Sequence, residues 1–135
     1  NVYAIGDCAA FPSRFAGGTV RLESVQNAVD QARCFAAAVC GKPEPYDAVP
    51  WFWTDQFEAK LQMAGLSSNF DREVIRGPIE SGKFSIFYFR ESRLIAIDSV
   101  NRPGDHLTGR KLLSAATPIT PEQAADPAFD LKSAL

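Results

Sequence analysis

The hydrophobic period of this chain changes partway along, and the change divides it. Between Ser24 and Cys40 the apolar residues Val25, Ala28, Val29, Ala32, Phe35, Ala36 and Val39 recur at the i, i+3, i+4, i+7 spacing of one helical stripe, which predicts an amphipathic helix. Gly41 is placed to end that helix in a left-handed C-cap, and Pro43 and Pro45 prevent its resumption, so residues 42–50 read as a linker. Beyond the linker Ala59, Leu61 and Met63 alternate with Glu58, Lys60 and Gln62, the period of a strand with one buried face. Asp71–Arg76, Lys83–Arg90 and Arg93–Val100 are rich in β-branched and aromatic residues, and the last two are separated only by Glu91-Ser92, a tight hairpin turn. The predicted sheet is therefore antiparallel. Phe84, Ile86, Phe87, Tyr88 and Phe89 make their strand apolar on both faces, which predicts a central strand covered on each side. After Pro103-Gly104, Leu107–Ala116 reads as a helix, and Pro121–Ala125 and Asp130–Ala134 read as short helical turns. At the other end, Asn1-Val2-Tyr3-Ala4-Ile5-Gly6-Asp7-Cys8-Ala9 reads as an apolar strand that stops at a Gly-Asp pair. The fold class is α+β: an antiparallel sheet of about five strands with flanking C-terminal helices, preceded by a strand and a helix.

Composition narrows the chemistry. The chain has 135 residues, enough for one domain or a piece of a larger one, and its 46% apolar content suffices for a packed core. A net charge of -2 argues against a nucleic-acid partner, which needs a clustered basic face. The three cysteines, Cys8, Cys34 and Cys40, form no Cys-x-x-Cys motif and read as structural or buried free thiols. With one histidine, His106, expected in a loop, no metal site is expected. No apolar run approaches the roughly 20 residues that cross a bilayer, and no signal-peptide pattern opens the chain, so a cytoplasmic setting without membrane contact is expected. The first residue already lies in the predicted strand, which reads as a fragment of a longer protein.

Two apparent motifs are set aside. Gly77-Pro-Ile-Glu-Ser-Gly82-Lys83 has the spacing of a phosphate-binding loop, yet Phe84 stands where a hydroxyl would hold magnesium, and the segment leads into a strand instead of opening a helix; a turn is expected. His106 has no nucleophile in usable context, and Asp55 and Glu58 read as solvated carboxylates.

Gly6-Asp7 at a strand end and both tryptophans within Pro50-Trp51-Phe52-Trp53-Thr54-Asp55-Gln56 remain. Glycine permits close backbone approach to a ligand, an aspartate there can accept hydrogen bonds from ligand hydroxyls, and an indole can pack beside a planar ring. Together with Arg21-Leu22-Glu23-Ser24-Val25-Gln26-Asn27-Ala28, Gly65-Leu66-Ser67 and Asp98-Ser99-Val100-Asn101-Arg102-Pro103, these segments resemble the C-terminal portion of the FAD-dependent NAD(P)H:ferredoxin reductases of the putidaredoxin reductase type, within the pyridine nucleotide-disulfide oxidoreductase superfamily.

The resemblance implies a remnant of an FAD-binding domain at residues 1–41, a linker at 42–50 and a ferredoxin reductase C-terminal α+β domain at 51–135. It implies that Gly6 and Asp7 meet the ribityl and phosphate portion of FAD, and that the helix start at Ser24, Val25 and Gln26 faces the pyrimidine edge of the flavin. It places Trp53 at the flavin edge, with Trp51 in support and an electron-relay role open; no side chain of this chain is catalytic, since the flavin does the chemistry. NAD(P)H would be the electron donor and a [2Fe-2S] ferredoxin, serving a P450 or a ring-hydroxylating dioxygenase, the acceptor. Such ferredoxins are generally acidic, which makes Arg33, Arg110, Lys111 and Lys132 candidates for the docking face. The glycine-rich dinucleotide fingerprints precede this segment in the family, so the isolated chain is expected to be inactive and to bind neither nucleotide tightly. The alternatives are a non-catalytic dimerisation or interaction module, and a flavoprotein of the same superfamily with a different acceptor; a homodimer is open in each case.

Overall fold

The structure, a computed structural model, describes residues 2–135; Asn1, where the predicted opening strand begins, lies outside the described residues. It divides into two compact units, Asn1–Phe52 and Trp53–Leu135.

The first unit contains a 3-10 turn at Gly6–Cys8, a hairpin of β1 (Ala10–Ser13) and β2 (Gly18–Arg21), and helix α1 (Val25–Val39). The predicted opening strand is not formed. Ile5 is extended, but no described segment pairs with residues 2–5, and a strand without a neighbour has no ladder to close its hydrogen bonds. Helix α1 begins and ends as its sequence dictates. The Ser24 hydroxyl accepts the Asn27 N–H at 3.1 Å. At the other end Gly41, at φ +76°, allows Gly41 N–H to reach the Ala38 carbonyl at 3.1 Å and Lys42 N–H the Ala37 carbonyl at 2.9 Å, the paired bonds of a Schellman cap.

The helix forms as predicted, and within this chain it is the polar side that is covered. Gln26, Asn27 and Gln31 are the buried residues of α1, while the apolar stripe is left largely open, with Val25 61%, Val29 41% and Val39 68% exposed. Residues 42–50 carry no regular structure but are tied to the helix and hairpin: Asp47 takes both carboxylate oxygens to Arg14 Nε at 2.9 and 3.0 Å, and the Glu44 carbonyl accepts from Cys34 Sγ at 3.0 Å. The cysteines are free as expected, yet Cys8 and Cys40 are exposed and Cys34 half-buried, so none is a core thiol.

The second unit is built on a five-stranded antiparallel sheet in the order β3-β4-β7-β6-β5, from β3 (Trp51–Gln56), β4 (Ala59–Gly65), β5 (Arg72–Arg76), β6 (Phe84–Arg90) and β7 (Arg93–Val100). The β6–β7 turn puts Glu91 at φ 51° and Ser92 at φ 62°, the left-handed pair that a two-residue hairpin requires. The central strand is β7, not the aromatic β6. Along β6 Ser85, Phe87 and Phe89 are buried while Ile86 and Tyr88 are half-buried, so one face is sealed and the other only partly covered. The sealed face lies under α2 (Pro103–Ala115), α3 (Pro121–Ala125) and a C-terminal 3-10 turn (Leu131–Ala134). Phe87, Phe89, Ile97, Leu112, Leu113, Ile119, Ala124 and Leu131 fill the space between. Each large apolar side chain of this set contributes about 1.5–3 kcal/mol by leaving water.

Helix α2 starts four residues earlier than predicted. Proline is well tolerated at a first helical position, because its missing N–H would be unsatisfied there anyway. His106 is consequently not a loop residue: it is 1% exposed on the buried side of α2. Gly109 lets the helix approach β7 closely, since a Cβ there would lie 2.7 Å from Ile97 Cγ2. The Gly77–Gly82 segment is a 3-10 turn at Ile79–Ser81 leading into β6, with no helix start to cradle a phosphate.

Candidate functional site

The residues singled out from the sequence fall into two groups, one in each unit. In the first, Gly6 adopts φ +76°, and its N–H donates to Gln31 Oε1 at 2.7 Å. Gln31 Nε2 donates in turn to Asn27 Oδ1 at 2.9 Å, and Asn27 Nδ2 donates to the Leu22 carbonyl at 2.9 Å. Tyr46 Oη reaches the same Asn27 oxygen at 3.2 Å; burial raises its phenol pKa above the ordinary value. Gln26 Nε2 donates to Asp30 Oδ2 at 2.6 Å, and Gln26 Oε1 accepts the Trp51 N–H at 3.3 Å. The buried amide side chains of α1 thus hold the Gly6-Asp7 turn, the strand before the helix and the segment after it in one hydrogen-bonded set, the arrangement that makes burying them tolerable.

Ser24, Val25 and Gln26 open α1, and the Gly6-Asp7 turn is fastened to the helix flank at Gln31, near the middle of the helix. Asp7 itself is exposed, and its carbonyl accepts from Arg21 at 2.8 Å; the same guanidinium nitrogen lies 2.5 Å from Glu23. Ser24 takes the Asn27 N–H, which leaves the Val25 and Gln26 amides without a partner among the described residues in the first turn, where the helix dipole is positive. This end of the helix suits an anionic or carbonyl-rich ligand edge, and the Asp7 carboxylate suits hydroxyl donors. Arg21 and Asn27 enter the sequence reading only as members of the Arg21–Ala28 segment, without a site role, and Gln31 does not enter it. Their signal was present in the polar i, i+4 pair Asn27 and Gln31, hidden because an apolar stripe ran along the same helix.

Trp53 belongs to the second unit, on β3, where it is 44% exposed. With Asp55, Lys60, Gln62, Asn101 and Pro103 it lines an open cleft of about 530 Å³. Asn101 shapes this cleft: at φ 50°, its Oδ1 accepts the Lys60 N–H at 3.0 Å, its own N–H donates to the Lys60 carbonyl at 2.9 Å, and its Nδ2 donates to the Gly82 carbonyl at 3.0 Å.

The basic candidates are dispersed. Arg33 is exposed on α1 and lies 3.4 Å from Asp30; Lys111 and Lys132 are exposed and Arg110 half-buried in the second unit. Beneath α2 lies a second charged group, absent from the sequence reading. Asp105 Oδ2 accepts from Ser85 Oγ at 3.0 Å and Arg102 Nε at 3.1 Å, and Arg76 Nε stands 3.7 Å away. Burial, reinforced by the nearby Arg110 charge, lowers the His106 pKa to about 4, so it is neutral near pH 7. On the other sheet face Tyr88 Oη donates to Asp98 Oδ2 at 2.9 Å, and burial raises the pKa of both. Among the described residues no group of histidine, cysteine and carboxylate side chains could hold a metal, and no helix is long and apolar enough to cross a membrane.

Comparison with known proteins places these features in a family. Residues 51–135 match the family model described as Reductase C-terminal. Over all 135 residues the chain is 58% identical to rhodocoxin reductase of Rhodococcus erythropolis, covering 32% of it. A solved ferredoxin reductase for the CYP199A2 system from Rhodopseudomonas palustris superposes with a TM-score of 0.92 at 55% identity, over 96% of this chain and 32% of that one. The reductase in the covalent putidaredoxin reductase–putidaredoxin complex gives 0.91 at 42% identity, over 96% and 31%. The chain spans about a third of the length of the curated relatives it matches, 32% in the first two. With its second half matched from end to end and its whole length similar to ferredoxin reductases of the putidaredoxin reductase type, the chain belongs to the Reductase C-terminal family.

Proposed function

We propose that this chain is part of a flavoprotein that passes electrons from NAD(P)H through FAD to a [2Fe-2S] ferredoxin serving a P450 or a ring-hydroxylating dioxygenase. The observation that carries the reading is the buried amide set that fastens the Gly6-Asp7 turn to the flank of α1 at Gln31. It holds an exposed Asp7 carboxylate against a helix whose first turn carries the Val25 and Gln26 amides, and both suit FAD. Asp7 accepts hydrogen bonds from ribityl hydroxyls, and the Val25 and Gln26 amides, with the positive end of the helix, favour negative charge on the pyrimidine edge. When bound, FAD supplies the conversion of a hydride donor's electron pair into single-electron steps. The residues of this chain bind and orient; none transfers a proton.

In this reading residues 1–41 close the FAD-binding domain, 42–50 link it onward, and 51–135 form the partner-facing domain of a cytoplasmic enzyme. Trp53 shields the flavin edge, and Arg33, Arg110, Lys111 and Lys132 attract an acidic ferredoxin. The second reading is a non-catalytic dimerisation or interaction module. The full-length protein decides between them: its visible spectrum is recorded alone, with NADH, and with a [2Fe-2S] ferredoxin added. Flavin bands that bleach with NADH and recover with ferredoxin are expected. A folded full-length protein that holds no flavin overturns the reading.

A further inference from the structure

We infer that Tyr46 is a positioning residue for the flavin-binding residues of the first unit, its hydroxyl joining the amide set that holds the Gly6-Asp7 turn to the one that holds Gln26; the inference rests on the flavin reading above. The first set runs from the Gly6 N–H through Gln31 and Asn27 to the Leu22 carbonyl. The second joins the Trp51 N–H and the Asp30 carboxylate through Gln26. The Tyr46 hydroxyl stands between them: it accepts from Gln26 Nε2 at 3.3 Å and donates to Asn27 Oδ1 at 3.2 Å. Its ring meets Phe11 of β1 edge-on, with centroids 5.1 Å apart. Residues 42–50 are thus keyed into α1 at the two residues that follow Val25.

The two ends of an amide side chain have nearly the same shape, so its partners decide which end faces which way. Asn27 Oδ1 accepts twice, from Gln31 and from Tyr46, which leaves Nδ2 for the Leu22 carbonyl. A phenol suits the junction because one hydroxyl accepts and donates at once. Removing that hydroxyl leaves Gln26 with Asp30 and Trp51, and Asn27 with Gln31 and Leu22, so the amides lose order while the fold keeps its bonds. Asp47, the next residue, ties the same segment to Arg14 in the hairpin turn through an exposed ion pair. Tyr46 and Asp47 therefore separate the ordering of the amides from the mere tethering of the segment.

The test uses the full-length protein, stripped of FAD, as wild type, Y46F, D47N, Q31L and the Y46F/Q31L double variant. The FAD dissociation constant is measured by fluorescence titration, and hydrogen exchange of the amides in residues 6–8 and 26–31 is followed without FAD. Y46F keeps the ring against Phe11 and loses only the hydroxyl. It should weaken FAD binding about three- to tenfold, the effect of losing one or two hydrogen bonds, and speed exchange at the Gly6 amide by a similar factor. D47N should change FAD binding less than about twofold, as expected of an exposed ion pair. Because Tyr46 and Gln31 meet the same Asn27 oxygen, the double variant should weaken binding by less than the product of the single effects. An FAD affinity in Y46F within about twofold of the wild type overturns the inference and leaves the flavin reading intact, and so does an equal loss in D47N or a double variant that equals the product. A folded wild type that takes up no FAD overturns the flavin reading and the inference with it.

Discussion

Replacing Arg76 by methionine should release the C-terminal segment from the sheet. Arg76 is 5% exposed at the end of β5, and its guanidinium donates to four carbonyls of that segment: Ala124 at 3.4 Å, Asp126, Pro127 at 3.3 Å and Phe129 at 2.8 Å. It is also one of two cations beside the buried Asp105 carboxylate, 3.7 Å from Arg76 Nε. Breaking a buried ion pair by removing one partner costs about 3–5 kcal/mol. Asp105 keeps Arg102 and Ser85, which pulls the estimate to the lower end, and the carbonyls of residues 126–129 lie near the surface, where water replaces most of what the guanidinium gave. The expected loss is therefore about 3 kcal/mol, felt first as local opening of residues 120–135. Amide hydrogen exchange reads this directly: protection of amides in residues 124–135 should fall about a hundredfold, since each tenfold corresponds to about 1.4 kcal/mol. R76K, which keeps the charge and loses the fork, should lose roughly half as much in free energy. If R76M changes protection of this segment less than about fivefold, the apolar contacts of Ile119, Ala124 and Leu131 hold it unaided, and the reasoning fails.

Three further outcomes test other parts of the molecule. Gln31→Leu in the full-length protein removes the acceptor of the Gly6 N–H and should weaken FAD binding about tenfold by fluorescence titration, with Gln31→Glu less affected because it still accepts from Gly6. Trp53→Phe should slow ferredoxin reduction while flavin reduction by NAD(P)H, followed by stopped flow, stays normal; unchanged ferredoxin reduction removes any electron-relay role. His106 has a folded pKa near 4, below the ordinary 6.5, so the unfolded chain takes up its proton first as pH falls. Its contribution to stability is complete above about pH 6.5 and is lost between there and about 4. Urea midpoints at pH 7 and 4.5 should accordingly differ less in His106→Gln than in the wild type.

The parts of the fold written in local signals were legible. Ser24, Gly41 and the Glu91-Ser92 turn each act within a few residues, and α1, β6 and β7 end where those residues require. What escaped depends on neighbours distant in sequence. The aromatic run of β6 suggests a central strand, but strand order is decided by pairing, and Ser85 lies sealed because Ser99 and Asp105 meet it from β7 and α2. The β1–β2 hairpin leaves little trace in the sequence, because Pro12 and the Gly17-Gly18 pair dilute two very short strands. Pro103-Gly104 usually marks a turn, which would leave His106 in a loop, whereas here the proline opens the helix. Gly6, Asp7, Ser24, Val25 and Gln26 are proposed from motifs, whereas the amide bonds that hold Gly6 to Gln31 and Gln26 to Trp51 span 25 residues, which periodicity does not encode.

Helix α1 places its amide residues inward and its valines outward, so the usual recipe for stabilising a helix would damage it. Exchanging Gln26, Asn27 or Gln31 for aliphatic residues raises apolar content at buried positions and would score as an improvement by hydrophobicity alone. Each exchange would nonetheless break a bond to a neighbour: Asp30, the Leu22 carbonyl or the Gly6 N–H. An engineer seeking a more robust version of this protein should therefore leave the interior of the helix polar and work on its capping residues.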